Sequence, residues 1–248
     1  FYQGSMGYPD LLQQVEESGY SYRKALGNAR FYHNSTLLVC DTAIWNVNTN
    51  LIKAFGNVRI IQNETVLSSD KLDYLIDENL AQFRGTLVQL QDKQKNTLRT
   101  RNLDYNTKDS VATFRGGASM KDKDGQIIES KYGTYDSKIS TFTFTGTVNM
   151  YTDSIFVKTE KLEYDTDANF ARFGLGTIAW KDENMLCANA GWYDRNREIC
   201  LFNKSVHLMD PTREVWTDTL KFYRNTNDIE LFGNIELLDS ERNLSAFA

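Results

Sequence analysis

Histidine, cysteine and proline are scarce in this 248-residue chain, which has two, three and two of them respectively. The histidines His33 and His207 are isolated, and Cys40, Cys187 and Cys200 follow no spacing typical of metal ligands. No cluster of residues suited to nucleophilic or metal-dependent catalysis is visible in the sequence. We therefore predict a protein that is not an enzyme, with no catalytic residue, no metal site and no cofactor.

Long hydrophobic runs are also absent, so no transmembrane segment is predicted in this chain. The net charge of -5 argues against a protein that binds nucleic acid, because such proteins need an excess of positive charge. Hydrophobic residues make up 41% of the chain and aromatic residues 12%. This composition is enough for a sizeable core and is not that of a disordered protein.

What the sequence does contain is repetition with a period close to 30 residues. A phenylalanine recurs at steps of 28 to 31 residues, and a second aromatic residue recurs at steps of 29 to 31 residues. The first series is Phe55, Phe83, Phe114, Phe144, Phe173, Phe202 and Phe232. The second series is Trp45, Tyr74, Tyr105, Tyr135, Tyr164, Tyr193 and Phe222. Two series with one period indicate a repeat architecture.

Other positions keep the same phase. An aliphatic residue stands seven positions before the second aromatic residue, and a small residue stands five positions before it in most copies, as Leu98 and Thr100 do before Tyr105. Segments rich in Asn, Asp and Gly separate these anchors and are typical of turns. Each repeat therefore reads as two strands and two turns, and a β-bulge would bring all the anchors to one face. The glycine that follows most of the phenylalanines suggests a second bulge.

The domain boundaries follow from the phase of the repeat. Residues 1–6 look like the remnant of an expression tag, which would also have removed any signal peptide. Residues 7–19 form an N-terminal segment, in which Pro9 to Glu17 are predicted to form a short helix ending near Gly19. Residues 20–248 are predicted to be a single all-β domain of about eight antiparallel hairpin repeats. Leu244 and Ala246 fall in phase with a further repeat, so we expect the native protein to extend beyond residue 248.

The repeated phrases resemble the OstA-like family over residues 20–248. The phrases that carry the resemblance are Ala54–Val58, Ser69–Tyr74, Ala81–Gly85 and Thr159–Asp165. That family includes the periplasmic bridge protein of lipopolysaccharide export and the periplasmic part of its outer-membrane partner. The resemblance implies a twisted, open β-jellyroll with an apolar interior for acyl chains. It also implies a periplasmic location, with association to the outer membrane, and no enzymatic mechanism.

The partners implied are lipopolysaccharide or a related glycolipid, and other OstA-like bridge proteins that stack head to tail through their edge strands. Interior residues of several repeats are the candidates for lipid binding, although each would serve equally well in a filled core. The candidates are Leu67, Phe83, Leu98, Phe114, Ile128, Phe144, Val157 and Phe173.

Two other functions remain open from the sequence. A structural or adhesive β-repeat scaffold would use its outer face for protein or glycan contacts, since fold does not fix function. A carbohydrate-active parallel β-helix fits less well, because this period is long for such coils and no catalytic carboxylates cluster. The interior discriminates between carrier and scaffold: a lipid carrier should keep an elongated apolar cavity, whereas a purely structural solenoid should be filled.

The remaining polar and sulfur-containing residues have structural interpretations. Cys40 is expected to be a buried thiol, and Cys200 to face Tyr193 and not Cys187, so that no disulfide forms. The two histidines are expected at the surface or rim of the fold. A set of aspartates recurs with the repeat and is predicted to lie in turns and at strand ends, not in a calcium array. These are Asp41, Asp70, Asp104, Asp136 and Asp165.

Overall fold

The computed structural model describes residues 9–152 and 154–248, so the predicted tag remnant at residues 1–6 lies outside the described part. The described residues contain no helix and form eighteen β-strands, which confirms the predicted all-β fold of antiparallel hairpins. The strands are β1 (Leu11–Glu17), β2 (Tyr20–His33), β3 (Thr36–Asn46), β4 (Leu51–Gln62), β5 (Thr65–Leu75), β6 (Leu80–Gln91), β7 (Thr97–Asn106), β8 (Val111–Lys121), β9 (Ile127–Asp136), β10 (Thr141–Tyr151), β11 (Phe156–Asp165), β12 (Phe170–Lys181), β13 (Asn184–Asp194), β14 (Ile199–Met209), β15 (Arg213–Tyr223), β16 (Asp228–Phe232), β17 (Glu236–Asp239) and β18 (Leu244–Phe247).

The described chain divides into two compact units. Unit 1 contains the residues up to 123 together with Thr134–Ile139, and its strands β1 to β8 each pair antiparallel with the next. Unit 2 contains Asp124–Gly133 and the residues from Ser140 onward, and β10 to β15 pair in the same way. In unit 2, β15 pairs with β16 along one half and with β17 along the other.

The turns stack upon one another within each unit. The last residue of the four-residue turn is in the left-handed region, as in Asn79 (φ 55°) and Asn169 (φ 55°). Its carbonyl accepts a hydrogen bond from the first turn residue of the next repeat, for example from Thr107 N to Asn79 O at 2.8 Å and from Arg195 N to Asn169 O at 3.2 Å. This column of bonds holds successive repeats in register.

The predicted bulges are present near the middle of the strands. The pairing of β7 with β8 shifts between Thr100 and Leu103, so the four anchors of β7 all face inward. Leu98, Thr100, Leu103 and Tyr105 are buried, while the residues between Thr100 and Leu103 are exposed. In a regular strand, even-numbered and odd-numbered residues would face opposite sides of the sheet. The bulge brings both sets to the same apolar face, as the repeat pattern predicts.

The predicted helix over Pro9 to Glu17 is wrong. Leu11–Glu17 forms β1 and pairs with β2 through seven residue pairs. Ser18 (φ 51°) and Gly19 (φ 79°) close the hairpin as a two-residue turn, which is the turn geometry that suits paired strands. An isolated helix of this length is marginal in water, whereas the edge of β2 supplies hydrogen-bonding partners along the whole segment.

Two members of the phenylalanine series do not face the interior. Phe55 is 37% exposed and Phe232 is 48% exposed, whereas Phe83 is fully buried. In β4 the left-handed bulge pair, Gly56 and Asn57, follows Phe55 directly, so the buried residue two positions before the bulge is Ala54. The inward series therefore has alanine in this repeat.

Gly56 is required at its bulge for two reasons. Its φ of 72° lies in the left-handed region, and a Cβ there would overlap the carboxylate of Asp41, which accepts a hydrogen bond from Asn57 Nδ2 at 2.9 Å. We expect Gly56→Ala to lower the free energy of unfolding by about 1–3 kcal/mol.

Denaturant unfolding measures this effect, with Gly174→Ala as the matched control. Gly174 also lies at a bulge, but its φ is outside the left-handed region. Beyond its two chain neighbours, no atom lies within 4 Å of the position that an added methyl group would occupy. Equal losses for the two variants would contradict the argument.

Candidate functional site

The interior of unit 1 is filled, and the interior of unit 2 becomes progressively more accessible along the chain. The aliphatic residue seven positions before the second aromatic residue shows this trend at equivalent places in successive repeats. Its exposure is 0% at Leu67, Leu98 and Ile128, 4% at Val157 and 8% at Leu186, and Val215 is only half-buried. The same inward position therefore changes from core to the wall of an open space.

That space is a cavity of about 600 Å³ within unit 2. Strands β10 to β17 all contribute to its wall, and the residues of the wall are mainly aliphatic and aromatic. The rings of Phe173 and Phe202 stack against each other with their centroids 6.3 Å apart. The apolar wall comprises Met150, Ile155, Val157, Phe173, Ala179, Trp180, Met185, Leu186, Tyr193, Cys200, Phe202, Leu208, Val215, Leu220, Phe222, Ile229, Leu231 and Leu237.

The rim of the cavity is polar and carries both signs of charge. Asp182 and Asp210 lie in one set of connections between strands, and Lys181, Asn184 and Arg213 flank them at the strand ends. Arg224 and Asn227 lie on the opposite set of turns. Away from the cavity, an ion pair of 3.4 Å between Arg195 and Asp124 joins one set of turns to the other in unit 2. Arg213 pairs with Asp210 at 2.8 Å. The arrangement is an apolar interior beneath a wet polar edge, which suits an amphiphilic ligand.

Arg224 is held on its own side of the rim. Its guanidinium lies 3.1 Å from the carboxylate of Glu198, donates to the hydroxyl of Tyr193, and lies over the Tyr193 ring at 5.4 Å. Burial, as the main cause, raises the pKa of Tyr193 to about 12, so the hydroxyl stays protonated and donates to Glu198 Oε2 at 3.0 Å. This network keeps the rim polar without closing it.

In unit 1 the two sets of turns are joined by hydrogen bonds. The Tyr105 hydroxyl donates to Gln62 Oε1 at 2.6 Å, and the Gln62 amide donates to the carbonyl oxygens of Thr107 at 2.9 Å and Asn34 at 2.8 Å. Gln62 and Thr107 are buried. We call these four residues the polar seam, and they seal the interior of unit 1 along this side.

Removing one hydroxyl should weaken the polar seam measurably. Tyr105→Phe leaves the buried Gln62 carbonyl without its closest donor, so we expect a loss of about 1–3 kcal/mol in the free energy of unfolding. Tyr223→Phe is the matched control, because the Tyr223 hydroxyl bonds to Glu230 on the exposed surface. A loss in the control as large as that in Tyr105→Phe, in urea titrations followed by circular dichroism, would refute the role of the seam.

The eight predicted lipid-binding residues lie in two environments, the wall of the cavity and the filled core. Val157 and Phe173 line the cavity. The other six are 0–1% exposed and lie within filled core: Leu67, Phe83, Leu98, Phe114, Ile128 and Phe144. Lipid contact stays a prediction for all eight. Sequence reasoning missed most of the cavity wall, including Phe202, Leu208 and Phe222.

One inward position of the repeat becomes small in the sequence where the cavity begins. It is the position that lies opposite the recurring aliphatic residue on the neighbouring strand. Ile60 and Leu90 hold it in unit 1, and Met150 holds it at the start of unit 2, but the next repeat has Ala179. A small residue there leaves space that the larger side chains fill elsewhere.

The cysteines behave as predicted. Cys40 and Cys200 are buried free thiols, Cys187 is also free, and Cys200 pairs with Tyr193 in the ladder of β13 and β14. Cys200 additionally lines the cavity.

The histidines are half-buried, with His33 Nδ1 bonded to the Tyr74 hydroxyl at 2.6 Å. Of the recurring aspartates, Asp136 and Asp165 accept backbone hydrogen bonds inside turns, as predicted. Among residues 9–152 and 154–248, no group of three or more His, Cys, Asp or Glu side chains is placed to hold a metal ion.

The fold and site define a β-hairpin repeat protein with an amphiphile-sized apolar cavity. The sequence profile of the OstA-like protein family matches residues 8–158, and the chain belongs to that family. Met150, Thr152, Ile155 and Val157, at one end of the cavity, fall in the matched part, while the rest of the cavity lies in the repeats that follow.

Among solved structures, the chain is similar to LptH from Pseudomonas aeruginosa, described as the LptA homologous periplasmic component of the lipopolysaccharide transport device. The two share 7% identity with a TM-score of 0.42, over 45% of this chain and 84% of LptH. No curated protein matches the chain. Across the described residues there is no helix long and apolar enough to cross a membrane.

Proposed function

We propose that this chain is a periplasmic module of lipopolysaccharide export that holds the acyl chains of the lipid in the cavity of unit 2. The observation that carries the proposal is the apolar cavity with a polar rim, in a chain that belongs to the OstA-like family. A scaffold has no need of such a cavity, because a filled core is more stable.

The energetics favour this use of the cavity. Exposing an acyl chain of about a dozen carbons to water costs on the order of 10 kcal/mol, at about 0.8 kcal/mol per methylene. The wall of the cavity replaces that water with aliphatic and aromatic side chains. The polar rim, with Lys181, Arg213 and Arg224, leaves the head group in contact with water and charged groups.

The module would work within an assembly. We propose that other OstA-like chains stack on it through strand edges, because an unpaired edge can be continued by a strand of another chain. Such contacts are head to tail and do not close, so they build a bridge towards the outer membrane. For contacts between copies of this chain, the expected result is a molecular mass that rises with protein concentration in light scattering, and a mass fixed at one chain would contradict stacking between copies.

Photocrosslinking tests lipid binding. A photoreactive residue replaces Phe173 or Phe222 in the cavity wall, and purified lipopolysaccharide is added. Phe83 and Phe114, which are fully buried in unit 1, serve as matched controls, and Lys123 serves as an exposed control. We expect adducts at Phe173 and Phe222 only.

Folding of each variant is checked by circular dichroism before the adducts are read by mass spectrometry. No adduct at either cavity position in folded variants would reject the carrier and favour the scaffold, which would use its outer face for protein or glycan contacts. Adducts at Phe83 or Phe114 would show that lipid also enters unit 1.

A further inference from the structure

One interior position changes size where the cavity begins. In the filled part of the chain this position holds Ile60, Leu90 and Met120, which are fully buried, and at the edge of the cavity it holds Met150, which is 2% exposed. The next repeat has Ala179, which is 9% exposed and lines the cavity. The pairing of strands fixes the equivalence, because each of these residues lies opposite an inward aliphatic residue of the neighbouring strand.

A side chain larger than alanine at position 179 would extend into the cavity. Its ladder partners are Val157 on β11 and Leu186 on β13, and both also line the cavity. On the side of lower residue numbers, Met150 contributes to the wall, while Val148 on the same strand is fully buried. Met150 therefore marks the closed end, and Ala179 is the first small residue at this position of the repeat.

The volume of the cavity limits how much hydrocarbon it holds. A cavity of 600 Å³ takes about twenty groups the size of a water molecule, each occupying about 30 Å³, and a methylene group is of similar size. This is room for one long acyl chain or two short ones. A lipid with more chains than that must leave the others outside the cavity.

We propose that Ala179 and Met150 set the hydrocarbon capacity of the cavity, and that the ligand it takes is an acyl amphiphile with about twenty methylene groups inside. The inference deepens the proposed function, since it rests on the cavity being the lipid site. It assigns to two residues the selection of chain length, in the way that the depth of a pocket selects its ligand.

Titration with single-chain phosphocholines of increasing length, below their micelle concentrations, tests the proposal on the whole chain. Binding is read by displacement of a fluorescent fatty acid. We expect the affinity to rise about fourfold with each added methylene. The rise should stop when the chain reaches about twenty methylenes.

Two variants should shift, in opposite directions, the chain length at which the affinity stops rising. Ala179→Met should stop the rise a few methylenes earlier, and Met150→Ala should let it continue a few further. Ala168→Met is the matched control, because Ala168 lies in an exposed turn outside the cavity. Ala179→Met should also keep or raise the midpoint of thermal unfolding, since it fills empty space without burying a polar group.

The outcomes separate the two proposals. A limit that is the same in wild type, Ala179→Met and Met150→Ala would overturn the role of these residues while leaving lipid binding intact. An affinity that does not depend on chain length would overturn the capacity argument. If neither the phosphocholines nor lipopolysaccharide binds the wild-type chain, the proposed function fails together with the inference.

Discussion

Replacing Phe83 with alanine should lower the free energy of unfolding by about 3–5 kcal/mol, the usual cost of deleting a fully buried aromatic side chain. Phe83 has no exposed surface and lies in the filled interior of unit 1. Its ladder partner Leu72 and its neighbour Leu103 on the other side are also buried, so the space left behind cannot collapse easily. The loss combines removal of apolar surface from the core with the cost of a cavity.

Phe55→Ala is the decisive comparison, because both phenylalanines belong to the same sequence series. Phe55 is 37% exposed and points away from the interior, so its loss should cost about 1 kcal/mol or less. Phe202→Ala should fall between the two, since Phe202 is 6% exposed and already borders the cavity. Urea titrations of the three variants give the order, and similar losses for Phe55→Ala and Phe83→Ala would contradict the assignment of inward residues.

The repeat makes much of the fold predictable from the sequence. Strand alternation is a local pattern, and it repeats with aromatic anchors such as Tyr74 and Tyr105, which are buried as expected. The bulges are predictable because Leu98 and Tyr105 have opposite parity and yet both are apolar. A single repeat would be ambiguous, whereas several copies in one phase leave only one consistent interpretation.

Wrong predictions arise where tertiary pairing overrides a local signal. The residues after Pro9 have a composition that fits a helix, but Leu11–Glu17 pairs with β2, and a short sequence does not reveal an available strand edge. Phe55 aligns with the inward series by residue type, although its distance from the bulge at Gly56 determines which way it faces.

The place where the interior opens is harder to predict than the fold. It depends on the total volume that the inward side chains of several strands fill, and the sequence of a single repeat does not show this total. Ala179 is visible as a small residue in a series of larger ones, but only strand register shows that Val157 and Leu186 are its neighbours. Capacity is therefore a property of packing and not of a motif.

The largest chemical effect is expected at Cys200. Burial, the main cause, raises the pKa of the Cys200 thiol from its ordinary 9.0 to about 12, although the nearby Arg224 lowers it. Below the pKa, the ionised fraction of a thiol falls tenfold for each pH unit. Near neutral pH the thiolate fraction of Cys200 should therefore be about a thousandfold smaller than that of an ordinary thiol. Iodoacetamide should therefore modify the half-buried Cys187 first and leave Cys200 intact in the folded chain.

The raised pKa of Cys200 also determines how the rate of its labelling changes with pH. The protonated thiol is the stable form below about pH 12, so labelling of Cys200 should accelerate about tenfold for each pH step as long as the chain stays folded. Cys40, whose pKa burial raises to about 11, should follow the same course and provides an internal comparison outside the cavity. Mass spectrometry of peptides after timed labelling measures each site, and all three cysteines should react alike once the chain is unfolded.

The reactivity of Cys200 also reports on the state of the cavity that it lines. If Cys200 reacts as fast as Cys187 near neutral pH, water must reach the thiol and solvate its thiolate, and the cavity is wet. Where such water is ordered by hydrogen bonds to the polar rim, displacing it would lower the affinity for an acyl chain, because the chain cannot replace those hydrogen bonds. Slow labelling at Cys200, together with further slowing when a single-chain phosphocholine is added, is the result expected of a dry apolar site that takes hydrocarbon.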